Sequence, residues 1–200
     1  MAAPDTLEPL RKATRRLHEA EAERNRLIRA LRSQRQPITR LSEAADLSVG
    51  TVHRLTRPSI VVSVGYEGRT AEELVAVLVE AEVSVLVDVR ENAISRKAGL
   101  SKRGLAARCE AQGIAYVHER TLGNPRHNRD GFREGRSESR KIFEQHLVDQ
   151  GAEALGRVGE LLRDRTVGLL CFEEDPCSCH RSIVAEHLKA LDPLATVQSV

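Results

Sequence analysis

Residues 59–200 alternate between short β-branched runs and longer amphipathic segments, and this alternation constrains the fold more than any other feature. The apolar runs have the length of buried strands and fall at 59–65, 84–90, 114–119 and 166–172. The other segments have helical periodicity and fall at 70–83, 101–113, about 138–149, 151–163 and 179–191. Such alternation predicts an α/β fold with a mostly parallel sheet covered by helices on both faces. A short edge strand is expected at 195–200.

Residues 1–58 have a different, wholly helical pattern. From Leu7 to about Arg32, apolar residues recur every three, four or seven positions, which predicts one long helix. The following stretch, ITRLSEAADLSVGTVHRLTRP, resembles a helix-turn-helix, with the turn at Asp46-Leu47 and Ser48 as the N-cap of the second helix. The sequence therefore predicts a small all-α domain over 1–58, followed without a long linker by an α/β domain over 59–200.

The charge of the helical domain favours DNA as a partner. Residues 1–58 carry 12 Lys/Arg and 7 Asp/Glu, whereas residues 59–200 carry 19 and 22. The second helix of a helix-turn-helix enters the major groove, and nearby basic residues contact phosphates. The residues predicted to bind DNA are Ser48, Gly50, Thr51, His53, Arg54 and Arg57. The alternative is a three-helix dimerisation or docking bundle with a basic surface.

The apolar runs also limit where the protein works. None approaches the ~18 residues that a membrane-spanning helix needs, and the N-terminus lacks the apolar stretch of a secretory signal. We therefore expect a cytoplasmic protein with no membrane partner, whose four cysteines are reduced thiols. The sequence gives no indication of the oligomeric state.

Unusual polar residues follow the predicted strands. Tyr66 follows the first strand, Asp88 and Arg90 end the second, and Cys171 and Glu173 end the fourth. Because parallel α/β sheets bind ligands at the carboxyl ends of their strands, we expect these side chains to gather at one edge.

Two loops at the same edge are strongly basic. Residues 90–103 carry five Lys/Arg and one acid, and residues 120–141 carry seven Lys/Arg and three acids, although the domain as a whole is acidic. The positive charge of these two loops within an acidic domain predicts a polyanionic ligand such as a nucleotide, a nucleic acid or a phosphorylated metabolite. The alternative is a pair of surface loops held by salt bridges.

Four segments together resemble a known family: VGYEGRT, LVDVRENAISRKAGLSK, IAYVHERTLGNPR and LLCFEEDPCSCHRSIVAEHL. They are similar to the family called domain of unknown function 488, from about Ile60 to about Leu191. The resemblance implies a compact α/β fold with a parallel sheet but no particular reaction. It also implies that the family's recurring polar positions are matched by Tyr66, Asp88, Arg90, Ser95, Cys171, Glu173, Cys179, His180 and Arg181. The helix-turn-helix segment and Cys177 depart from the family pattern.

The stretch LLCFEEDPCSCHRS, residues 169–182, allows four interpretations. Structural zinc sites usually take ligands from two separate segments, and Cys179 and His180 are adjacent, so neither a metal nor another cofactor is predicted. Cys171 and Cys179 are candidates for a redox pair. Cys171 as a nucleophile would need an arginine much closer in sequence than Arg181. We favour an anion site at the start of the last helix, where backbone N–H groups, His180 and Arg181 act as donors.

These residues predict a DNA-directed enzyme that holds a nucleotide at the strand ends. A pocket with carboxylates, a tyrosine and cations is suited to hydrolysis of an N-glycosidic bond, the reaction by which a DNA glycosylase removes a modified base. Asp88 or Glu173 would orient water or stabilise charge on the sugar, and Tyr66 would stack on the base. The groups predicted to bind phosphate are Arg90, Ser95, Arg96, Lys97, His180 and Arg181. The alternative is a transcriptional regulator whose α/β domain senses an anionic ligand or thiol oxidation.

Overall fold

A computed structural model describes residues 6–200, which divide into two compact units. One unit comprises the chain up to Arg57 together with residues 192–194, and the other comprises residues 58–191 and 195–200. Residues 1–5, which fall within the predicted helical domain, lie outside the described residues. Across 6–200, no helix combines the length and the apolar character needed to cross a membrane.

The helical unit consists of α1 (Glu8–Ser33), α2 (Ile38–Ala45) and α3 (Val49–Leu55). Its core is formed by Ile28, Leu41 and Val52. The predicted apolar stripe of α1 is only partly used, because α1 has 26 residues whereas α2 and α3 have 8 and 7. Short partner helices cannot cover a helix of that length, so Leu10 and Leu17 are 64% and 57% exposed.

The second unit is built on a five-stranded sheet in which every strand pair is parallel. The strands are β1 (Ile60–Gly65), β2 (Val85–Asp88), β3 (Ala115–His118), β4 (Val167–Cys171) and β5 (Thr196–Ser199). Their order is β3-β2-β4-β1-β5, which places β5 at an edge as predicted. Gly65 is level with Cys171 and Asp88 with Leu170, so the three central strands end at the same edge.

Helices cover both faces of this sheet, which confirms the predicted α/β fold. They are α4 (Ala71–Glu80), α5 (Lys102–Glu110), α6 (Arg129–Arg133), α7 (Ser137–His146), α8 (Ala152–Leu161) and α9 (Arg181–Leu191). One face packs against α4 and α5, and the other against α7, α8 and α9. A π-helical turn at Leu147–Gly151 joins α7 directly to α8.

The segment between β3 and α7, expected as a long polar loop, is partly ordered into helical turns. Two 3-10 turns, Arg120–Leu122 and Arg126–Asn128, precede α6. Leu122 and Phe132 anchor the segment because both side chains are buried in the sheet's hydrophobic core. Two apolar residues ten positions apart give no readable period, so the sequence did not indicate these turns.

Strand side chains alternate between the two buried faces. Val87 and Leu169 point towards α7, α8 and α9, whereas Leu86 and Leu170 point towards α4 and α5. Burial on both faces explains why the strands read as continuous apolar runs. By the same alternation Asp88 lies on the α4 and α5 side of the sheet.

A capping box begins α4. The Thr70 hydroxyl accepts a hydrogen bond from the Glu73 backbone N–H at 3.2 Å, and the Glu73 carboxylate accepts one from the Thr70 N–H at 2.8 Å. These reciprocal bonds satisfy two helix-terminal donors. They also fix where the chain turns after β1, and so position the segment that carries Tyr66.

A candidate site at the carboxyl ends of the strands

A cavity of about 500 Å³ opens at the carboxyl ends of β1, β2 and β4. Its size is typical of a site for a small ligand. The predicted site residues that line it are Tyr66, Arg90, Ser95, Arg96, Lys97, Cys171, Glu173 and His180. Three further predicted residues, Asp88, Cys179 and Arg181, are not part of the lining.

Asp88 lies beneath the cavity and is fully buried. Its carboxylate accepts hydrogen bonds from the Arg90 Nε at 2.8 Å and Nη2 at 2.5 Å, and from the Tyr116 hydroxyl at 2.5 Å. Burial and the adjacent Asp88 charge raise the pKa of Tyr116. Burial alone would lower the pKa of Arg90, but the ion pair with Asp88 outweighs it and raises that pKa. A carboxylate enclosed and bonded in this way is not accessible to a ligand. In the structure Asp88 is bonded to Arg90 and Tyr116, and its predicted catalytic role stays a prediction.

Arg90 joins this ion pair to the aromatic wall of the cavity. Its Nη1 donates to the Tyr66 hydroxyl and to the Leu100 carbonyl, both at 3.0 Å. The donors predicted to hold a phosphate are thus used within the protein. Tyr66 is 4% exposed and meets Phe172 edge to face, with ring centroids 5.4 Å apart. Phe172, which sequence reasoning did not select, is the more accessible ring, and its position as the last residue of the fourth apolar run was the available signal.

The other predicted phosphate-binding residues divide into engaged and free groups. The Lys97 ammonium donates to the backbone carbonyls of Tyr66 at 3.1 Å, of Arg69 at 3.2 Å and of Glu67. The Ser95 hydroxyl accepts from the Lys97 backbone N–H at 3.1 Å. Arg96 is exposed on the cavity wall, and within residues 6–200 no partner engages its guanidinium.

Arg181 is buried and holds the loop that follows β4. Its Nε donates to the Ser63 hydroxyl at 2.8 Å, its Nη2 to the Glu174 carbonyl at 2.7 Å, and its Nη1 to the Glu173 carbonyl. Because Ser63 lies on the α9 side of the sheet, Arg181 and Asp88 are on opposite faces. They do not share one cleft, contrary to the sequence expectation.

The predicted anion site at the start of the last helix is also revised. Helix α9 begins at Arg181 and not at Cys179, and His180 is buried with its Nε2 3.0 Å from the Val89 carbonyl. Since His180 and Arg181 both bond to protein oxygens, neither side chain offers a free donor to an anion at this helix start.

Four potential metal ligands meet at the floor of the cavity instead. One side-chain atom from each of Cys171, Glu173, Cys179 and His180 lies within 4.8 Å of the other three. The His180 Nδ1 is 3.8 Å from the Cys171 sulfur and 3.9 Å from the Cys179 sulfur. Sequence reasoning expected Cys179 and His180 to point apart at a helix start. Both precede the helix, and Cys179 has an extended backbone, so that constraint does not apply.

The cluster favours an anionic Glu173 carboxylate beside a protonated Cys179 thiol. Burial and the neighbouring Cys171 raise the pKa of Cys179 well above its usual value. Burial opposes ionisation of Glu173, but hydrogen bonds from its own backbone N–H and from the thiols of Cys171 and Cys179 lower its pKa. Burial also opposes protonation of His180, yet its contacts with Cys179 and Glu173 raise its pKa.

Two arginines from the α6 segment complete the cavity wall. Arg133 donates from Nε to the Glu173 carboxylate at 3.3 Å, and Arg129 pairs with Glu91 at 2.5 Å. The excess charge of residues 120–141 indicated that this loop is functional. It could not identify which of seven Lys/Arg face the cavity, because the turns that orient them have no sequence period.

The helix-turn-helix residues lie in the other unit. Asp46 ends α2 in a left-handed conformation with φ 51°, and the Ser48 hydroxyl caps α3 by accepting from the Thr51 N–H at 3.1 Å. The predicted DNA contacts Ser48, Gly50, His53, Arg54 and Arg57 are exposed, and Thr51 is half-buried. The structure has two short helices joined by a turn at the predicted residues, and both the helix-turn-helix assignment and DNA binding stay predictions.

Comparison with known proteins gives one match. A family model described as Domain of unknown function DUF488 matches residues 70–188, a stretch that contains Asp88, Arg90 and the four-residue cluster. Tyr66 and the helix-turn-helix segment lie outside the matched residues. No curated protein and no solved structure matches the chain. Because the matched stretch is more than half of the chain, the protein belongs to the DUF488 family.

Proposed function

We propose that the chain is a DNA-binding protein whose α/β domain hydrolyses a bond in a nucleotide unit, and that this bond is N-glycosidic. The observation that carries the proposal is the position of Glu173 on the cavity floor. Its side chain is 14% exposed, and its lowered pKa keeps the carboxylate ionised. An ionised carboxylate that lines a cavity can hold a water molecule by accepting its hydrogen bond, and it receives the proton only as the water oxygen bonds to the sugar.

The rest of the lining supports a nucleotide as the ligand. Phe172 offers an aromatic surface, 36% exposed, on which a base can stack. Arg96 has free donors for a phosphate, and Arg129 and Arg133 add positive charge to the same wall. A cavity with one aromatic side, one cationic side and a carboxylate between them suits a ligand with a base, a phosphate and a sugar between them.

The proposed reaction uses Glu173 as the proton acceptor. The oxygen of a water molecule bonds to the sugar C1′ as the bond between C1′ and the base nitrogen breaks. One proton of that water passes to Glu173, and the base leaves with the bonding electron pair and takes up a proton from solvent, to which Glu173 later releases its own. The products are a free base and a sugar with a hydroxyl at C1′.

A single-turnover base-release assay on duplexes with modified bases tests this reaction. Glu173→Gln should lower the rate by about 100-fold or more, the usual scale of a lost general base. Glu174→Gln is the matched control, because Glu174 is adjacent and exposed, and it should stay within about threefold of the parent. The proposal fails if the parent releases no base, or if Glu173→Gln releases base as fast as the parent.

The DNA-binding part of the proposal rests on α3. Its exposed side carries His53 and Arg54, with Arg57 just beyond its end. Arg54→Ala and Arg57→Ala should each lower the slope of log affinity against log salt by about 1 if each guanidinium contacts a phosphate. Arg26→Ala is the control, because Arg26 pairs with Glu23 on α1 and should leave the slope unchanged. Unchanged slopes in all three variants would exclude phosphate contacts by α3.

A specific observation favours one second candidate, a regulator that senses thiol oxidation. The sulfurs of Cys171 and Cys179 lie within 4.8 Å of each other, so a local movement could bring them to bonding distance. This candidate predicts a disulfide that forms under mild oxidant and changes affinity for an operator, with no turnover. Mass spectrometry of oxidised peptides, combined with operator binding, separates it from the enzyme.

A further inference from the structure

We propose that Cys171, Cys179 and His180 bind a zinc ion through two sulfurs and Nδ1, with Glu173 beside a fourth position that opens into the cavity. This inference does not depend on the reaction proposed above, because it rests on the arrangement of the side chains alone. It also does not require DNA or a nucleotide.

The distances between the three ligand atoms are close to those of a zinc site. With Zn–S of about 2.3 Å and Zn–N of about 2.0 Å, a tetrahedral ion holds its sulfur and nitrogen ligands about 3.6 Å apart. The His180 Nδ1 is 3.8 Å from one sulfur and 3.9 Å from the other. The two nitrogen–sulfur distances therefore need to shorten by only a few tenths of an ångström. The two sulfurs lie within 4.8 Å of each other, against about 3.8 Å in a tetrahedral zinc site.

The other nitrogen of His180 fixes the ring for this role. Its Nε2 lies 3.0 Å from the Val89 carbonyl, an oxygen that can only accept a hydrogen bond. The proton therefore belongs on Nε2, which leaves the Nδ1 lone pair directed at the two sulfurs. A backbone carbonyl behind a ligating imidazole is the usual outer partner of a metal-bound histidine.

Donor types and surroundings favour zinc over magnesium or calcium. Two thiolates and one imidazole form a soft ligand set, whereas magnesium and calcium prefer oxygen. Cys171, Cys179 and His180 are all buried, so the positions of their donor atoms are set by packing. Phe143 contributes to that packing, with its ring edge to face with the His180 ring at 5.1 Å.

The Glu173 carboxylate lies between the cluster and the cavity wall, with its Oε2 3.1 Å from the Cys171 sulfur. Its carboxylate pairs with the Arg133 Nε at 3.3 Å, and the same residue lines the cavity. Three protein ligands with an open fourth position are typical of catalytic zinc, which lowers the pKa of a bound water to about 7. Glu173 would then accept a hydrogen bond from that water.

The test measures metal on the full chain. Protein purified without chelator should carry one zinc per chain by elemental analysis. After zinc removal, Co²⁺ should give the thiolate charge-transfer absorption and the strong visible bands of a tetrahedral site. Cys171→Ser and Cys179→Ser should each weaken zinc binding by more than about 100-fold. Loss of a residue that only hydrogen-bonds to a ligand typically costs ~10–100-fold in metal affinity, so the larger loss identifies a direct ligand.

Two further variants separate the site from its neighbours. Cys177→Ser is the matched control, because Cys177 is an exposed thiol of the same loop outside the cluster, and it should bind zinc like the parent. Glu173→Gln should keep the ion, and its loss there would contradict an open fourth position. Even if a buried-cysteine variant fails to fold, a parent chain with no stoichiometric zinc and no thiolate band with Co²⁺ overturns the inference.

Discussion

Replacing Asp88 by asparagine tests whether the buried ion pair beneath the cavity holds the α/β domain together. Asp88 is 0% exposed and accepts from Arg90 and Tyr116. In Asp88→Asn the amide keeps one acceptor oxygen but presents an N–H₂ group to a neighbouring donor. The charge of Arg90, which is only 6% exposed at the base of the cavity, then loses its counter-charge with little water to replace it.

The expected cost follows from that burial. Removing one partner of a buried ion pair typically costs about 3–5 kcal/mol, because the remaining charge is buried and unpaired. Since asparagine retains one hydrogen bond, we expect the lower end, about 3 kcal/mol. For a domain of this size that corresponds to a fall in the unfolding midpoint of roughly 10 °C.

The protein contains its own probe for the measurement. It has two tyrosines and no tryptophan, and both tyrosines belong to the α/β unit. Tyrosine fluorescence in urea or during heating therefore reports the unfolding of that unit. Glu72→Gln is the control, because it removes an ion pair with Arg108 that is exposed and 3.0 Å long. If both variants shift the midpoint equally, the buried pair does not stabilise the domain and our account of Asp88 is refuted.

Three other predictions concern the loops around the site and the thiols. Gly65→Ala should destabilise the α/β unit by at least about 1–3 kcal/mol in urea titrations, because a Cβ there would lie 2.0 Å from the Glu173 carbonyl oxygen. The Thr70 N–H lowers the pKa of Glu73, so the capping box stabilises the fold above the unfolded pKa of about 4.3 and loses this effect as the pH falls. Urea midpoints of the parent and Glu73→Gln should therefore converge between about pH 5 and 3, and a constant difference would contradict the assignment. Iodoacetamide at pH 8 should label the exposed Cys177 before the buried Cys109 and Cys179, because burial raises the pKa of Cys109 to about 11 and that of Cys179 well above its usual value, as peptide mapping would show.

The fold could be predicted because its signals are local. Strands such as β4 are buried on both faces, and this makes them continuous apolar runs that stand out from the amphipathic helices. The N-cap at Ser48 could also be predicted, because a hydroxyl at a helix start accepts a hydrogen bond from a free backbone N–H. By contrast, the turns between β3 and α7 depend on where Leu122 and Phe132 pack, and a short stretch of sequence does not determine long-range packing.

The candidate site was predictable as a region but not as a set of roles. The rule that ligands bind at strand ends led to eight of the residues that line the cavity. Charge alone could not distinguish a free cation such as Arg96 from Arg181, which is enclosed by carbonyl and hydroxyl oxygens. The sequence also could not reveal that the side chains of Cys179 and His180 converge. Their directions depend on the start of α9, which lies two residues later than expected.

The buried guanidinium of Arg181 has a consequence for ligand entry. It ties the carbonyls of Glu173 and Glu174 to Ser63 of β1, so the loop after β4 cannot swing outward without stranding a charge in an apolar interior. The floor of the cavity keeps its shape for that reason. Any widening for a bulkier molecule has to come from the other walls, residues 91–97 and the α6 segment. The size of the ligand that can enter and the groups that would act on it therefore depend on different segments of the chain. Exchanging residues 91–97 alone should alter which molecules enter while leaving the floor intact.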